Sequence, residues 1–598
     1  MTAAYPQTRW SLNDLFPAPD SAELQAVFQE LEQQAGELET LRPSLNEQLS
    51  AERFLEILDR LEAIHTQARR LDAYASLYFA EDTQNPAALS LLQRSGQFFA
   101  ELSNRLLFFS LWWKALSDEA AAPFLAIAGE RRYWLEEMRH FKPHTLSEAE
   151  EKIINIKNVT GASALNTLYD TLTNRYVFRL KVDGKVHKLT RGELTQYVRH
   201  PNPRLRAAAY REMLRVYGQD AAILGQMYQT LVRDWRNEQM TLRGFSSPIA
   251  ARNLANDIPD SVVDTLLEVC RRNAPLFQRF FRLKARGLGM KKLRRYDIYA
   301  PLGAAQRRVP FEQVAELTLD SFQQFHPQIA SLAERVFQEN HLDSEVRKGK
   351  RSGAFCLTAT PQLTPWVLVN YQGRMEDVST LAHELGHAVH SMLAAHHSLF
   401  TFHPSLPLAE TASTFGEMLL VERLLKEESD PALRRDLLFA QMDNAYATIL
   451  RQAYFALFEQ QAHEMVQQGA TLEELAEAYL DNLHEQFGDA VALSDEFRWE
   501  WVSIPHLYNV PFYVYAYAFG QLLVLALYEQ YRKEGESFKP RYLQLLAAGG
   551  SDSPERILAA AGMDIHQPAF WQGGFEVIAR WIEQLEALPA PHKPSAIL

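Results

Sequence analysis

Apolar residues recur every three or four positions along most of the 598-residue chain. The stretch from residue 21 to about 164 contains long runs of this kind, for example ERFLEILDRLEAIHTQARRLDAYASLYFAEDT. Such spacing places the apolar side chains on one face of an amphipathic helix. The same periodicity returns over residues 190–340. We therefore predict a mainly α-helical protein, with a helical N-terminal lobe over residues 1–190 and a second domain over residues 191–598.

Two segments alternate between apolar and polar residues and predict β-hairpins. The first is YVFRLKVDGKVHKL (176–189), whose central Asp183-Gly184 favours a tight two-residue turn. The second joins SGAFCLTAT (352–360) to PWVLVNYQG (365–373). No stretch of about eighteen apolar residues is present, so we expect no membrane-spanning helix.

Composition and charge narrow the class of protein. The net charge is −13 with the two signs interspersed, which argues against a surface for nucleic acid or anionic membrane. The two cysteines, Cys270 and Cys356, provide neither a disulfide framework nor a thiolate metal cluster, which fits a reducing compartment. The opening MTAAYPQTRWSLNDLFP lacks the basic start and apolar run of a secretory signal. We expect a cytoplasmic protein.

The segment TLAHELGHAVH (380–390) has the spacing of a metal site on a helix. His383 and His387 are one turn apart, so two neutral imidazoles can reach one Zn²⁺ ion at about 2.0–2.1 Å each. Glu384 lies beside them, where it can take a proton from a metal-bound water. The opposite side of the helix is apolar, while Gly386 next to the histidines offers no side chain. A solvated polar face is the alternative interpretation of this segment.

A third ligand is sought downstream, because a catalytic zinc ion usually has three protein ligands and an open position. In LPLAETASTFGEMLLVERLL (406–425), which predicts a helix, Glu410 and Glu417 share one face. We predict Glu410 as the third ligand and Glu417 as the acceptor of a hydrogen bond from a ligand imidazole. His390 competes for the ligand role, but it is about 10 Å along the helix from His383.

The segment PHLYNVPFYVYAYAFG (505–520) is rich in aromatic residues with polar ends. Aromatic packing explains many such rings. A phenol or a neutral imidazole N–H can also stabilise the negative charge that develops on oxygen in a transition state. The residues that could do so are His506, Tyr508, Tyr513, Tyr515 and Tyr517.

Taken together, these motifs resemble the M3 family of zinc metallopeptidases, and within it the oligoendopeptidase F branch. The resemblance is carried by DVSTLAHELGHAVH (377–390) with AETASTFGE (409–417), and by RWSLNDLFP (9–17), KRSGAFC (350–356), IPHLYNVPFYVYAYAFG (504–520) and LLAAGGSDSPERIL (545–558). It implies that His383, His387 and Glu410 bind one zinc ion and that Glu384 activates water.

The resemblance also implies that His506 first, then Tyr508 and Tyr515, stabilise the oxyanion. This chain has Asn509, Val510 and Pro511 where family members carry glycines after the histidine. It therefore stays open whether Tyr513 or Tyr517 takes the place of Tyr515.

The family implies a large two-lobed helical metallopeptidase of the zincin type, with a channel and with small β-hairpins near the active site. Residues 191–598 would form the catalytic domain. The expected activity is endopeptidase hydrolysis of short unfolded peptides, and the oligomeric state is open. We expect substrate to contact Gly353, Ala354 and Tyr513, the first two because small residues at a strand edge let an extended peptide approach. The alternatives are a zinc exopeptidase of carboxypeptidase or dipeptidase type, and a non-catalytic helical peptide-binding protein.

Overall fold

The computed structural model describes residues 5–302 and 308–589. Two ends of the chain lie outside these ranges. They are residues 1–4, which belong to the segment that we expect not to be a secretory signal, and residues 590–598 of the predicted second domain. The helices are α1 (Ala22–Glu39), α2 (Ala51–Glu81), α3 (Pro86–Ala115), α4 (Asp118–Ile127), α5 (Arg132–His140), α6 (Glu148–Thr160), α7 (Ala162–Asn174), α8 (Arg191–Gln196), α9 (Pro203–Gln219), α10 (Ala221–Arg236), α11 (Ala250–Ala255), α12 (Asp260–Arg272), α13 (Ala274–Gly287), α14 (Phe311–Phe325), α15 (Pro327–Gln338), α16 (Met375–Leu393), α17 (Leu406–Ala409), α18 (Thr411–Glu427), α19 (Pro431–Ala445), α20 (Arg451–Gln467), α21 (Leu472–Phe487), α22 (His506–Asn509), α23 (Tyr515–Glu534), α24 (Lys539–Ala547), α25 (Pro554–Ala560) and α26 (Pro568–Ala587).

The strands are few and short. They are β1 (Phe178–Val182), β2 (Lys185–Leu189), β3 (Leu293–Arg294), β4 (Leu342–Asp343), β5 (Phe355–Leu357), β6 (Trp366–Leu368) and β7 (Val491–Ala492). The prediction of a mainly helical fold with small hairpins is confirmed. Within the described ranges, no helix is both long enough and apolar enough to cross a membrane.

The chain forms two compact units, each assembled from three separate stretches. The first unit comprises the described parts of 5–142, 308–424 and 530–564, and the second those of 143–302, 425–529 and 565–589. The domain boundary predicted at residue 190 divides the chain at one position only, whereas each unit contains three stretches. This boundary stays a prediction.

The first unit contains an apolar core built on α1 to α5 and a small sheet. Aromatic rings from different helices meet in this core, as Phe54 and Phe124 do with ring centroids 4.6 Å apart. The sheet has the order β4-β6-β5, in which β6 is parallel to β4 and antiparallel to β5. The three residues of β6 are completely buried. The predicted hairpin over 352–373 is thus confirmed, and it leaves β5 at the edge of the sheet.

The second unit contains the other predicted hairpin. Strands β1 and β2 pair antiparallel, with Val182 opposite Lys185. The two turn residues have positive φ angles, 47° for Asp183 and 81° for Gly184, as a tight hairpin turn of this kind requires. Thr190 and Glu193 then form a capping box at the start of α8.

Candidate functional site

Helix α16 presents the histidine pair in the first unit. It begins where the Asp377 carboxylate accepts hydrogen bonds of 2.9 Å from the backbone N–H groups of Gln372 and Arg374. One face of the helix is apolar and buried, through Val378, Leu381, Leu385 and Val389. His383 and His387 lie on another face and are partly exposed. The core therefore fixes the direction in which the histidines point.

The three predicted ligand atoms lie close together. Nε2 of His383 is 3.2 Å from Nε2 of His387 and 3.2 Å from Oε2 of Glu410. The same glutamate oxygen is 3.4 Å from Nε2 of His387. Donors that bind a tetrahedral zinc ion at about 2.0–2.1 Å are separated from one another by about 3.3–3.4 Å. The side chains present therefore fit a zinc ion.

Glu417 orients one of these histidines. Nδ1 of His383 donates a hydrogen bond of 2.5 Å to Oε1 of Glu417, which directs Nε2 towards Glu410 and His387. Burial by itself would lower the pKa of His383, but its hydrogen bonds to Glu410 and Glu417 raise that pKa to about 10. Two carboxylates at one imidazole thus create a place that favours a positive charge.

The predicted helix over 406–425 is interrupted at the ligand itself. Helix α17 ends at Ala409 and α18 begins at Thr411. The Ser413 hydroxyl donates to the backbone carbonyl of Glu410 at 3.0 Å and to its Oε2 at 2.9 Å. The Glu410 carbonyl also accepts a hydrogen bond of 3.0 Å from the backbone N–H of Thr414, so the bonding of α18 starts at Glu410 itself. The prediction of one continuous helix is therefore wrong here, and Ser413 helps to set the direction of the Glu410 side chain.

Gly386 allows this segment to approach α16. A Cβ atom at Gly386 would lie 2.5 Å from Cα of Ser413 and 2.6 Å from the carbonyl oxygen of Ala412. No side chain fits between α16 and the start of α18. Because Gly386 has no side chain, the two segments can approach closely enough to bring Glu410 to the histidines.

The histidine face borders a cleft of about 410 Å³. Glu384 lies in its wall and is 7% exposed. Burial raises the pKa of the Glu384 carboxyl, while the neighbouring His383 and His387 act in the opposite direction. A carboxylate with a raised pKa is a stronger proton acceptor, which suits a general base.

Two further histidines lie in the wall of this cleft. Burial lowers the pKa of His390 to about 3, and its Nδ1 has no hydrogen-bond partner in the described part of the chain. The group of ligand atoms around His383 and His387 is completed by Glu410, not by His390. His403, whose pKa burial lowers to about 4, was missed by sequence reasoning. The segment around it, FTFHPSLP, has no ligand spacing that could have drawn attention to it.

The edge strand β5 lies at the same cleft. Ala354, Phe355 and Cys356 contribute to its wall. Gly353 has a φ angle of 84°, which favours glycine, and the space that a Cβ atom would occupy there is open. Its carbonyl accepts a hydrogen bond of 2.8 Å from Asn370, and this bond fixes the start of the strand.

In the tyrosine-rich segment of the second unit, two of the predicted donors are buried. Tyr508 is 1% exposed and its hydroxyl donates to the Leu224 carbonyl at 3.3 Å. Tyr515 is completely buried and its hydroxyl accepts a hydrogen bond of 2.9 Å from Asn256. Both rings are therefore packed in the interior of the protein, which is the aromatic-packing alternative for this segment.

The other members of the segment form an accessible cluster. Nε2 of His506 lies 3.2 Å from the hydroxyl of Tyr517, which is 38% exposed. The ring of Tyr513 stacks parallel to His506 and edge-on to Tyr517. Partial burial lowers the pKa of His506, so its imidazole is neutral at pH 7. The structure therefore groups His506 with Tyr513 and Tyr517, the two tyrosines that the sequence left as alternatives.

The chain is similar to known proteins over most of its length. The model of peptidase family M3 matches residues 196–577, and that of oligopeptidase F matches residues 112–178. Oligopeptidase PepF of Bacillus subtilis is 27% identical over 589 residues, covering 97% of this chain and 87% of the relative. An oligoendopeptidase F homolog of Lactococcus lactis is 28% identical over 551 residues, covering 90% of each chain.

A solved structure agrees as well. The crystal structure of oligoendopeptidase-F from Enterococcus faecium superposes with a TM-score of 0.71 at 25% identity, covering 95% of this chain and 98% of that one. The resemblance predicted from the motifs is confirmed, because the M3 family model alone spans more than half of the residues. The chain belongs to peptidase family M3.

Proposed function

We propose that this M3 peptidase is a zinc-dependent endopeptidase in which His383, His387 and Glu410 hold one zinc ion and Glu384 is the general base. The observation that carries the proposal is the spacing of 3.2, 3.2 and 3.4 Å among the three ligand atoms. Glu384, on the same wall of the cleft, has no part in that ligand set. A closed structural zinc site would require a fourth protein ligand.

When bound, zinc supplies Lewis acidity that lowers the pKa of water and polarises a carbonyl group. Glu384 takes the proton of the attacking water, and its protonated carboxyl then delivers that proton to the leaving amine. Glu417 keeps His383 in one orientation throughout, and Ser413 does the same for Glu410. Catalysis by a fixed base of this kind typically contributes about 10²–10⁴-fold to the rate.

We assign the stabilisation of the developing oxyanion to His506 and Tyr517. A neutral imidazole N–H and a phenol O–H can both donate to that oxygen without being consumed. Support comes from the 3.2 Å contact between the two groups and from their accessibility. Tyr508 and Tyr515, the tyrosines first expected in this role, have hydroxyls that are buried and engaged with Leu224 and Asn256.

The proposed substrate is an extended oligopeptide that adds to β5 as a further strand, close to Gly353 and Ala354. Main-chain hydrogen bonds along a strand edge bind many sequences, because they do not depend on side chains. The proposal rests on the position of β5 at the edge of its sheet and in the cleft wall. Tyr513 is the third residue that we propose to contact the substrate. The names of the relatives, oligopeptidase and oligoendopeptidase, support short peptides as the substrate class. The proposed location is the cytoplasm, which suits a chain with two free cysteines.

Digestion of a mixed peptide library by the chain and by Glu384→Gln tests this function. The variant is expected to keep its zinc and to lose about 10²–10⁴-fold in turnover. Glu376→Gln, which changes an exposed acid on the same helix, is the matched control and should cleave normally. Equal cleavage by Glu384→Gln and the chain itself would refute the assignment of the base.

Peptides blocked at both ends separate the alternatives. An endopeptidase cleaves them, whereas a carboxypeptidase or dipeptidase does not. Removal of zinc by a chelator, followed by its return, should abolish and restore cleavage. A non-catalytic peptide-binding protein would cleave nothing at any stage.

A further inference from the structure

A second group of potential metal ligands lies in the first unit, outside the cleft. Asp14, Glu339 and His341 each bring one ligand atom to within 4.8 Å of the others. Nε2 of His341 is 3.2 Å from Oδ2 of Asp14. That distance is close to the separation of about 3.3 Å between two donors on one tetrahedral zinc ion. Glu339 is exposed at the protein surface.

The ring of His341 is held in one orientation. It is 1% exposed and stacks on the Trp366 indole with ring centroids 4.0 Å apart. Its Nδ1 lies 2.8 Å from the Thr364 carbonyl. Because a carbonyl oxygen can only accept, Nδ1 must carry the hydrogen. In the neutral ring, Nε2 therefore has a lone pair that faces a carboxylate oxygen. Two acceptors at 3.2 Å require a cation or a proton between them.

The local backbone places Glu339 beside His341. Helix α15 ends at Gln338, and Asn340 then has a φ angle of 55°. The backbone N–H of His341 donates to the Val336 carbonyl at 2.9 Å, which closes the end of the helix. Nε of Arg335 donates a hydrogen bond of 3.0 Å to Oε1 of Glu339, which orients this carboxylate.

The N-terminal segment that carries Asp14 is anchored on both sides of this residue. Ser11 donates from its backbone N–H to the Asn340 carbonyl at 2.8 Å, and its own carbonyl accepts from the Trp366 indole at 2.8 Å. On the other side, Arg70 donates to the Leu15 carbonyl at 2.9 Å. The carboxylate of Asp14 is thus brought to His341 by a fixed backbone.

We propose that Asp14, Glu339 and His341 form a second, non-catalytic site for a divalent transition-metal ion, and that zinc binds there. One imidazole and two carboxylates provide a borderline nitrogen donor with two negative charges, a set that suits zinc better than magnesium or calcium. The ion would join the N-terminal segment to the turn between α15 and β4. Because the ligands come from distant parts of the sequence, metal binding would stabilise the folded state.

Zinc binding to the full chain with His383→Ala and His387→Ala tests this proposal, because that background removes the first site. After treatment with a chelator and equilibration with zinc chloride, we expect one zinc ion per chain by elemental analysis. We also expect a zinc-dependent rise in Tm. Adding Asp14→Asn or His341→Ala should remove both. Asp20→Asn, an exposed acid on the same segment, is the matched control and should retain them.

The proposal fails if the double variant binds no zinc, since the contact between His341 and Asp14 would then be a hydrogen bond within the protein only. It also fails if Asp14→Asn and Glu339→Gln leave the bound zinc unchanged. These two exposed positions decide the matter even if His341→Ala does not fold. In the otherwise unchanged chain, Asp14→Asn should lower the zinc content from two ions to one while cleavage of peptides stays the same.

Discussion

Replacing Gly386 with alanine should damage the metal centre without touching a ligand. The added Cβ would lie 2.5 Å from Cα of Ser413 and 2.6 Å from the Ala412 carbonyl oxygen. Because carbon atoms pack at about 3.5–4.0 Å, the two segments must separate by about 1 Å. Both neighbours are backbone atoms, so no flexible side chain can yield. Glu410 is three residues before Ser413 and would move with it.

The energetic effect can be isolated with a second glycine in a helix. Gly96 in α3 has nothing within 4 Å of its added Cβ. Each substitution gains about 1 kcal/mol from helix propensity, which cancels between the two variants. Only Gly386→Ala has the cost of overpacking, about 1–3 kcal/mol. We expect it to have the lower Tm in metal-free protein.

The metal centre should respond as well. A displacement of about 1 Å at a reacting group can reduce activity about 100-fold. We expect kcat/KM of Gly386→Ala to fall by this order and zinc to bind more weakly, measured by peptide cleavage and by zinc titration. Gly96→Ala should behave as the unchanged chain does. The reasoning is refuted if the two variants unfold at the same Tm and bind zinc equally well.

Three further outcomes are expected. Glu417→Gln should weaken zinc binding about 10–100-fold in a zinc titration, while Glu427→Gln on the same helix should not; equal affinities would contradict the role of Glu417. Tyr517→Phe should lower kcat about 10²–10³-fold with little change in KM, whereas Tyr515→Phe should mainly lower Tm; the opposite pattern would move the donor role to Tyr515. Burial raises the pKa of Glu459 to about 8, so the folded state loses stability relative to the unfolded state as pH rises from about 4.5 to about 8. Glu459→Gln should therefore raise Tm at pH 8 and leave it nearly unchanged at pH 4.5, and a gain that is the same at both values would contradict this ionisation.

Helix α16, which carries His383 and His387, could be predicted because the pattern that specifies it lies within the helix's own sequence. The apolar face of α16 and the spacing of His383 and His387 both follow from the helical repeat. The hairpin of β5 and β6 was predictable for the same reason, since alternation marks a strand. Strand β4 has only two residues and pairs in parallel with β6, 25 positions later, so no local pattern could predict it.

The direction of the third ligand was less predictable. Helical periodicity puts Glu410 and Glu417 on one face, but it predicts neither the interruption between α17 and α18 nor the bond from the Ser413 hydroxyl to the Glu410 carbonyl. Serine has two possible partners, solvent and a nearby backbone carbonyl, and the sequence does not choose between them. The required contact of α16 at Gly386 is likewise a long-range property of the fold.

The tyrosines show a different limit. Tyr513, Tyr515 and Tyr517 alternate in FYVYAY, a repeat that would put all three on one side of an extended segment. Helix α23 instead begins at Tyr515, so neighbouring rings diverge. Tyr508 and Tyr515 then find their partners in Leu224 and Asn256, more than 250 positions earlier in the chain. Which phenol is accessible depends on these distant contacts and not on the repeat.

The two groups of proposed metal ligands in the first unit orient a histidine in the same way, but they differ in the basicity of its imidazole. At each, an acceptor bonded to Nδ1 of a histidine leaves Nε2 for the metal. The acceptor is the Glu417 carboxylate for His383 and the neutral Thr364 carbonyl for His341. A carboxylate raises the basicity of an imidazole more than a carbonyl does, and the first group also has a second histidine. Zinc should therefore fill the site of His383, His387 and Glu410 before that of Asp14, Glu339 and His341. A dialysis series against increasing chelator should remove the second ion first, with cleavage lost only when the first leaves; loss of cleavage together with the weaker ion would contradict this order.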